Sequence, residues 1–289
     1  MALNMIVTVK QVPDTQHVSE NAMKPDGTVN RGALPTITNP EDLNALEEAL
    51  KLKERYGGHV SVVTMGPPSA VKTLKECLSR GADDAIILSD RIFAGSDTLA
   101  TSYILKCAVE RIGNYDLILC GRQAIDGDTA QVGPQMAEKL NINQITGLLE
   151  IRSVEGRSIT VRRAIEEGYE IVRSRLPVLL TVGAAANEPR PPSAKRTIAF
   201  KNIERKLSRE SYGKIVRKTT AMEMIRHIRQ WNAKVVGADP KACGLSGSPT
   251  KVKRVRNVVL SVTDVKRIPA TKEGINGLIR ELTSEHIIG

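Results

Sequence analysis

The segment from Gly121 to Pro134 is dense in Gly, Asp, Thr and Gln, residue types that bind phosphate groups and sugar hydroxyls. It follows the apolar run Leu117–Cys120 and opens a helical pattern that we predict over Thr129–Leu140, with Thr129 as the helix cap. The free amides and the positive end of such a helix attract phosphate. The segment therefore predicts a phosphate-binding loop, although an ordinary turn between a strand and a helix would also explain it.

Individual residues of this loop have separate expected roles. Gly127 and Gly133 permit a close approach of the backbone to a ligand or an unusual backbone conformation. Asp126 and Asp128 would repel a phosphate that they faced, so we expect them to cap the turn or to bind ribose hydroxyls.

Two other segments precede predicted helices and have simpler explanations. Asn39-Pro40-Glu41-Asp42 combines a good N-cap, a proline for the first turn and acids near the positive helix end, so a well-made helix start explains all four residues. In the segment 94–102, Ser96 is the expected cap, and Thr98 and Thr101 share one helix face. Capping and ligand binding remain equally open for this second segment.

The patterns of most catalytic and metal sites are missing from the sequence. It has no G-x-G-x-x-G after its first strand, no phosphate-binding P-loop and no G-x-S-x-G. Its four histidines lack metal-ligand spacing, and its four cysteines form no C-x-x-C, so we expect ordinary reduced thiols, mostly buried. The chain is predicted to hold a nucleotide, without a metal and without the groups for hydrolysis or acyl transfer.

These segments lie in a regular alternation of strands and helices, which predicts an α/β fold with a parallel sheet and helices on both faces. In such sheets, ligands bind beyond the carboxyl ends of the strands. The predicted strands are Met5–Lys10, Val60–Met65, Ala85–Leu88, Leu117–Cys120, Gly147–Ser153, Ser158–Arg163 and Pro177–Val182. The predicted helices are Pro40–Tyr56, Pro68–Arg80, Ser96–Arg111, Thr129–Leu140 and a short one at Met222–Trp231.

Charge divides the chain into two parts. Residues 191–289 contain 21 basic and 8 acidic residues, a net charge of +13, whereas residues 1–190 have a net charge of −3. The composition changes at a proline-rich stretch after Asn187, so we predict a nucleotide-binding domain over 1–187 and a basic recognition loop followed by an extended C-terminal arm over 188–289. The basic part has few aromatic residues and no nucleic-acid-binding motif, which argues against a nucleic-acid partner.

Composition also bears on the core and on location. Aromatic residues are only 3% of the chain, so we expect a core of Val, Ile, Leu and Ala. No stretch is long and apolar enough for a membrane helix, and the N-terminus lacks a signal-peptide pattern. We therefore expect a cytoplasmic protein that associates with a membrane only through a partner.

The segment Val161–Thr181 resembles the signature of electron-transfer flavoprotein beta subunits. It has the basic residue, the acidic and glycine cluster, the glutamate with an aliphatic neighbour, and then a proline and an apolar strand. The resemblance extends over most of residues 5–190, including Thr8–Asp14, Asn39-Pro40, Thr64–Pro67 and Gln123–Pro134.

This resemblance implies a Rossmann-like domain of the adenine-nucleotide-binding type, paired with an alpha subunit that carries FAD. The basic region after Asn187 has too few periodic apolar residues to build its own core, so we expect it to extend over that subunit as an arm. The resemblance also implies which residues surround a nucleotide in this chain. They are Thr8, Asn39, Asp42, Met65, Thr98, Gly121, Arg122, Gln123, Ala124, Asp126, Gly127, Asp128, Thr129, Ala130, Gln131 and Val132.

The family has two branches, and the segments 126–134 and 94–102 are similar to the electron-bifurcating and Fix-type branch. That branch implies FAD in this chain, reduced by NADH, with ferredoxin or flavodoxin as one acceptor and a second acceptor reached through the alpha-subunit FAD. Gly127 would leave room for a pyrophosphate and flavin.

Two alternatives to the bifurcating branch stay open. The first alternative is a conventional carrier with structural AMP. The second is a nucleotide-sensing or adenylating protein, although Lys10–Asp14 lacks the expected Ser-Gly-Gly-x-Asp-Ser loop.

The same resemblance identifies 191–201 as a partner recognition loop. Family members that bind acyl-CoA dehydrogenases often use a leucine there, and this sequence has none. Ile198 and Phe200 are the apolar residues that could replace it. We therefore expect a quinone-linked, Fix-type oxidoreductase in preference to an acyl-CoA dehydrogenase.

Overall fold

The structure, a computed structural model, describes residues 1–14, 35–199, 228–250 and 266–284. Its strands are β1 (Leu3–Thr8), β2 (Gln11–Pro13), β3 (Thr36–Thr38), β4 (Gly58–Met65), β5 (Asp84–Leu88), β6 (Leu117–Gly121), β7 (Asn143–Glu155), β8 (Ser158–Ile165), β9 (Gly168–Arg175), β10 (Val178–Val182) and β11 (Ile228–Trp231). Its principal helices are α1 (Pro40–Tyr56), α2 (Val71–Arg80), α3 (Thr98–Ile112), α4 (Val132–Leu140) and α5 (Lys272–Ser284). Two short helices, Ala233–Val236 and Gly244–Gly247, lie between β11 and α5.

Within the described residues, nine strands form one sheet in the order β11-β5-β4-β1-β6-β10-β7-β8-β9. The strands from β11 to β7 are parallel, and β7, β8 and β9 are antiparallel to one another. From β1 the chain first adds β4 and β5 on one side, and then returns to add β6 on the other. The crevice between β1 and β6 is therefore the topological switch point, the place where ligands bind in such sheets.

Helices cover both faces of the sheet. Side chains from α1 and α2 pack with Met5 and Val7 on one face, whereas side chains from α3 and α4 pack with Ile6 on the other. The central strands are apolar at successive positions because both of their faces are buried. Val, Ile, Leu and Ala dominate the core, and Phe93 is its buried phenylalanine. The predicted α/β fold and core composition are confirmed.

Strands β7, β8 and β9 are antiparallel because short turns connect them. The predicted pair around Glu155-Gly156 is confirmed, because β7 and β8 form an antiparallel ladder joined at that turn, where Gly156 has a φ of 55°. β9 continues the ladder as a hairpin with β8, so the segment resembling the family signature is largely a structural hairpin. The Leu176–Pro177 peptide bond that follows is cis.

One prediction after residue 220 is wrong. Ile228–Trp231 is a strand and not part of a helix, because it pairs in parallel with β5 and satisfies the backbone groups of that edge; residues 222–227 lie outside the described residues. The end of the predicted extended arm contains helix α5, in which Ile275, Leu278, Ile279 and Leu282 recur at helical spacing. Residues 251–265 lie outside the described residues.

The described residues through Thr250 belong to one compact unit, and residues 266–284 belong to a second. β11 and the two short helices are thus part of the unit that contains the sheet. Among the residues described, no helix is long and apolar enough to cross a membrane. The same residues contain no cluster of His, Cys, Asp and Glu that could hold a metal ion. The four cysteines are free and buried, as predicted.

Candidate functional site

A cleft of about 350 Å³ opens at the carboxyl ends of β1, β4 and β6. Thr8, Met65 and Gly121, the last residues of these three strands, lie in its wall. The loop 121–131 forms one side and the start of α3 forms another. The cleft thus lies at the switch point of the sheet and within the range of volumes found for small-molecule sites.

The loop 121–131 is braced by the first residues of α1. Asn39 occupies the N-cap position of α1, but its side chain caps nothing. Its amide donates to the carbonyl of Gln123 (2.8 Å), and its Oδ1 accepts from the amide of Ile125 (3.1 Å). Glu41 accepts from the amide of Gln123 (2.9 Å) and from Nε of Arg122 (3.3 Å). These helix-start residues therefore shape the loop, a role that goes beyond beginning a helix.

Asp42 joins the ends of two strands beneath the cleft. Its Oδ2 accepts from the amide of Lys10 (2.8 Å) after β1, and its Oδ1 accepts from the amide of Gly121 (2.9 Å) in β6. The side chain is buried, and this burial raises the pKa of Asp42 to about 7, although the two amides and Lys10 act in the opposite direction. Asp42 therefore holds the chain just beyond the paired residues of β1 and β6 in place beside the cleft.

The start of α4 differs from the prediction. The helix begins at Val132, Gln131 is its N-cap residue, and Thr129 does not cap it. Asp128 and Ala130 have φ values of 47° and 52°, a left-handed conformation that delays the helix. Among the described residues, none accepts a hydrogen bond from the amides of residues 129–132. These donors line the cleft at the positive end of a helix, which is suited to a phosphate group.

The opposite wall comes from the start of α3. Asp97, not Ser96 as predicted, is the N-cap residue, and its Oδ1 accepts from the amide of Ala100 (3.0 Å). Burial opposes ionisation of Asp97, but hydrogen bonds from Ala100 and Thr250 outweigh it and lower the pKa of this carboxyl. The hydroxyl of Thr98 donates to Oε1 of Gln131 (3.0 Å), which joins the two walls.

All the residues predicted to surround a nucleotide line this cleft except Asn39 and Asp126. Asn39 braces the loop from behind, and Asp126 pairs with Nζ of Lys10 (2.6 Å). Eight further residues line the cleft, and the sequence had already pointed to three of them, Ser96, Thr101 and Gly133. The eight are Val9, Lys10, Ser96, Asp97, Thr101, Leu105, Cys120 and Gly133. The sequence already indicated the shared helix face of Thr98 and Thr101, and the helical spacing of Leu105 from both could have added Leu105 to the same wall.

The glycines of the loop test whether the backbone fits a phosphate group. A Cβ atom at Gly121 would lie 2.4 Å from Oδ1 of Asp42, and one at Gly133 would lie 2.7 Å from Sγ of Cys120. These two glycines are therefore required for packing. A Cβ atom at Gly127 would meet no atom within 4 Å, so Gly127 leaves open space beside the cleft. The free amides and this open space fit the phosphate groups of a nucleotide.

Comparison with known proteins identifies the family. Residues 26–207 match the electron transfer flavoprotein domain. The electron transfer flavoprotein subunit beta of Clostridium acetobutylicum is 40% identical over 286 residues, which cover 99% of this chain and 100% of that protein. The protein FixA of Azorhizobium caulinodans is 43% identical over 260 residues, or 88% of this chain and 84% of that protein. The caffeyl-CoA reductase-Etf complex subunit CarD of Acetobacterium woodii is 43% identical over 253 residues, or 87% of each chain. The chain therefore belongs to the electron transfer flavoprotein beta-subunit family.

Proposed function

We propose that the cleft binds FAD and that the chain is the beta subunit of an electron-bifurcating electron-transfer flavoprotein. The observation that carries the proposal is the row of unpaired amides at residues 129–132, which line a cleft at the switch point of the sheet. They would hold a pyrophosphate against the positive end of α4. The open space at Gly127 would admit the part of the ligand beyond the adenylate.

The residues around the cleft would bind and orient the cofactor. Asn39, Glu41 and Asp42 hold the loop and the two strand ends in place before any ligand arrives. Such preorganisation lowers the cost of binding because the loop need not be ordered by the ligand. Arg122, half exposed beside Glu41, would supply a positive charge near a reduced flavin.

A bound FAD would supply the electron chemistry: it would accept a hydride from NADH and release single electrons to two acceptors. One acceptor would be ferredoxin or flavodoxin, and the other would be reached through the FAD of an alpha subunit. Relatives named as the subunit CarD of a caffeyl-CoA reductase-Etf complex and as an acryloyl-CoA reductase electron transfer subunit support a place in a reductase or dehydrogenase assembly.

A conventional carrier with structural AMP is the second candidate. The volume of about 350 Å³ favours it, because this value lies near the lower end of the range for ligand sites and suits an adenylate. A flavin would then have to extend past the rim of the described cleft. An adenylating protein, the third expectation, has no support from the family to which the chain belongs.

The segment 191–201 is proposed to recognise the electron-transfer partner. Residues 194–199 are helical, so this part of the predicted loop is a helix; Phe200 lies outside the described residues. Arg196 donates to the carbonyls of Leu78 and Ala82, which fixes the helix to the end of α2. The side chain of Ile198 is 58% exposed, and it could make an apolar contact with a partner protein. We favour a Fix-type, quinone-linked oxidoreductase over an acyl-CoA dehydrogenase.

The cofactor content of the purified complex tests the proposal. The chain is co-expressed with its alpha subunit, the heterodimer is purified, and FAD and AMP released on denaturation are counted. Two FAD per heterodimer are expected. One FAD and one AMP would establish the conventional carrier instead, and the absence of both nucleotides from the beta chain would reject the cleft as a nucleotide site.

A further inference from the structure

A segment outside the cleft fixes the α3 wall from behind. Residues 244–250 are not among the described residues that line the cleft, but they lie against the loop before α3. The amide of Gly244 donates to Oγ of Ser96 (3.1 Å), and the amide of Asp97 donates to Oγ of Ser248 (2.9 Å). The approach is close, because a Cβ atom at Gly244 would lie 2.2 Å from the carbonyl oxygen of Ile92.

Thr250 completes this contact at the carboxylate of Asp97. Its amide (3.1 Å) and its hydroxyl (2.7 Å) both donate to Oδ2, while Oδ1 caps α3 through Ala100. Both carboxylate oxygens therefore have partners on the described chain. Because Asp97 also lines the cleft, loss of the Thr250 hydroxyl would leave one amide donor on each carboxylate oxygen, and more of the negative charge of Asp97 would act on a bound phosphate.

We propose that Thr250 is a positioning residue of the nucleotide cleft, which holds the charge of Asp97 away from bound phosphate and couples nucleotide occupancy to segment 244–250. The inference rests on the proposed function, namely that the cleft binds an adenine nucleotide. Coupling between two sites is reciprocal. A nucleotide in the cleft must therefore stabilise the docked state of residues 244–250 by the same factor by which docking of that segment strengthens nucleotide binding.

The test uses the heterodimer and AMP as the probe, because both candidate ligands contain the adenylate group. AMP affinity is measured by titration calorimetry for the parent, Thr250→Val and Thr250→Ser. Amide hydrogen exchange of residues 244–250 is measured with and without AMP. Thr250→Val should weaken AMP binding about threefold to tenfold, the effect of one typical net hydrogen bond, because two amide donors to the carboxylate remain. It should also reduce AMP-dependent protection of the segment, whereas Thr250→Ser should behave as the parent.

Two further variants separate positioning from simple folding. Ser174→Ala removes a hydroxyl of β9 that donates to the carbonyl of Arg175, and it should leave AMP affinity unchanged. In an Asp97→Asn background, Thr250→Val should have little further effect on AMP affinity, because the charge that Thr250 restrains is gone.

Equal AMP affinity in Thr250→Val and the parent, or the same loss with and without the Asp97 charge, would overturn the inference while leaving the nucleotide site intact. Failure of the parent itself to bind AMP or FAD would overturn both the inference and the proposed function.

Discussion

At the residue scale, three glycines of one loop have three different reasons to be glycine. Gly121 and Gly133 leave no room for a Cβ atom, because Asp42 and Cys120 lie against them. Gly127 has room for a side chain, and its nearest open space adjoins the cleft. Packing therefore requires glycine at 121 and 133. At 127, a larger residue would be tolerated unless a ligand occupies the open space.

Gly127→Asp should weaken nucleotide binding without unfolding the chain. A carboxylate beside the phosphate groups would oppose the favourable end of α4, and we expect the dissociation constant to rise at least about tenfold, or about 1.4 kcal/mol. Binding of AMP and FAD to the purified heterodimer is the measurement.

Gly127→Ala is its matched control and should change the free energy of unfolding by less than about 0.5 kcal/mol, whereas Gly133→Ala should lower it by about 1–3 kcal/mol through overpacking against Cys120. Unchanged nucleotide content in Gly127→Asp would remove the loop from the site.

The buried carboxyl of Asp42 should make stability depend on pH. Its pKa is about 7 in the folded chain and about 3.9 in an unfolded one, so the folded state binds more protons between these values. The free energy of unfolding should therefore fall as pH rises from about 4 to about 7, by on the order of 1–4 kcal/mol.

Asp42→Asn should flatten this dependence, even though it lowers stability by about 1–3 kcal/mol because one backbone amide loses its acceptor. Urea unfolding at several pH values is the measurement. A parent and a variant with the same slope between pH 4 and 7 would contradict the assignment.

At the scale of elements, the chain after β10 is fastened to α1 before it reaches the helical residues 194–199. Asn187 and Asn44 exchange side-chain and backbone hydrogen bonds, at 2.7 Å and 3.0 Å. Arg190 then makes a bidentate contact with Glu47, at 2.8 Å and 3.0 Å, and a further ion pair with Glu54. The contacts with Glu47 and Glu54 hold the pKa of Arg190 above its usual range. The helical residues 194–199 therefore follow a segment that is fixed to α1.

Arg190→Ala should lower the free energy of unfolding by about 1–3 kcal/mol, because Glu47 is buried and would lose its partner. The expected loss is below that for a fully buried pair, since Arg190 is itself partly exposed. Arg190→Lys should recover only part of the loss because a lysine cannot make the bidentate contact.

Lys266→Ala, which breaks an exposed ion pair with Glu281, is the control for Arg190→Ala and should have almost no effect. Equal urea midpoints for Arg190→Ala and Lys266→Ala would show that the Arg190 contact contributes nothing.

Ile198→Ala should weaken binding of the dehydrogenase or oxidoreductase partner. An exposed isoleucine on a fixed helix is suited to be a hot spot, for which truncation costs at least about 2 kcal/mol, or about thirtyfold in affinity. Pull-down with the native heterodimer identifies the partner and tests the variant, and Val235→Ala, another exposed aliphatic residue, is the control.

Recovery of a membrane-associated flavoprotein in the Ile198 experiment would support a Fix-type partner. Recovery of an acyl-CoA dehydrogenase whose binding is lost in Ile198→Ala would overturn our preference.

At the scale of the whole molecule, charge and exposed apolar surface both increase toward the C-terminus. The last 99 residues hold the excess positive charge of +13. Helix α5 has no buried residue, and Ile275 and Ile279 are about half exposed. An amphipathic helix gains most of its stability by packing its apolar face against another element. We therefore expect α5 to be covered by the alpha subunit in the heterodimer.

Replacing Ile275 and Ile279 together by serine should prevent or weaken heterodimer formation, because the apolar contact would be lost from the centre of the interface. Co-purification with a tagged alpha subunit and sedimentation are the measurements. The control replaces Glu273 and Arg280, which lie on the polar side of α5 by helical spacing, and should preserve the complex. A parent chain that sediments alone as a compact monomer and resists proteolysis throughout its C-terminal third would contradict obligate pairing.

The sequence by itself determined the α/β class, the order of the central elements and the segments at the strand ends, because the side-chain period of strands and helices is set locally. It also pointed to the loop 121–134, whose composition departs from that of an ordinary turn.

The tertiary structure decided the features that depend on contacts between distant residues. Ile228–Trp231 became a strand because the open edge of β5 was available to pair with it. Thr129 does not cap α4 because the residues at 128 and 130 are left-handed and the helix begins only at Val132. Asp97 and Thr250, 153 positions apart, met only because the chain folds back across α3. Contacts between distant residues depend on how complete elements pack, and this packing can override the preference of any short segment.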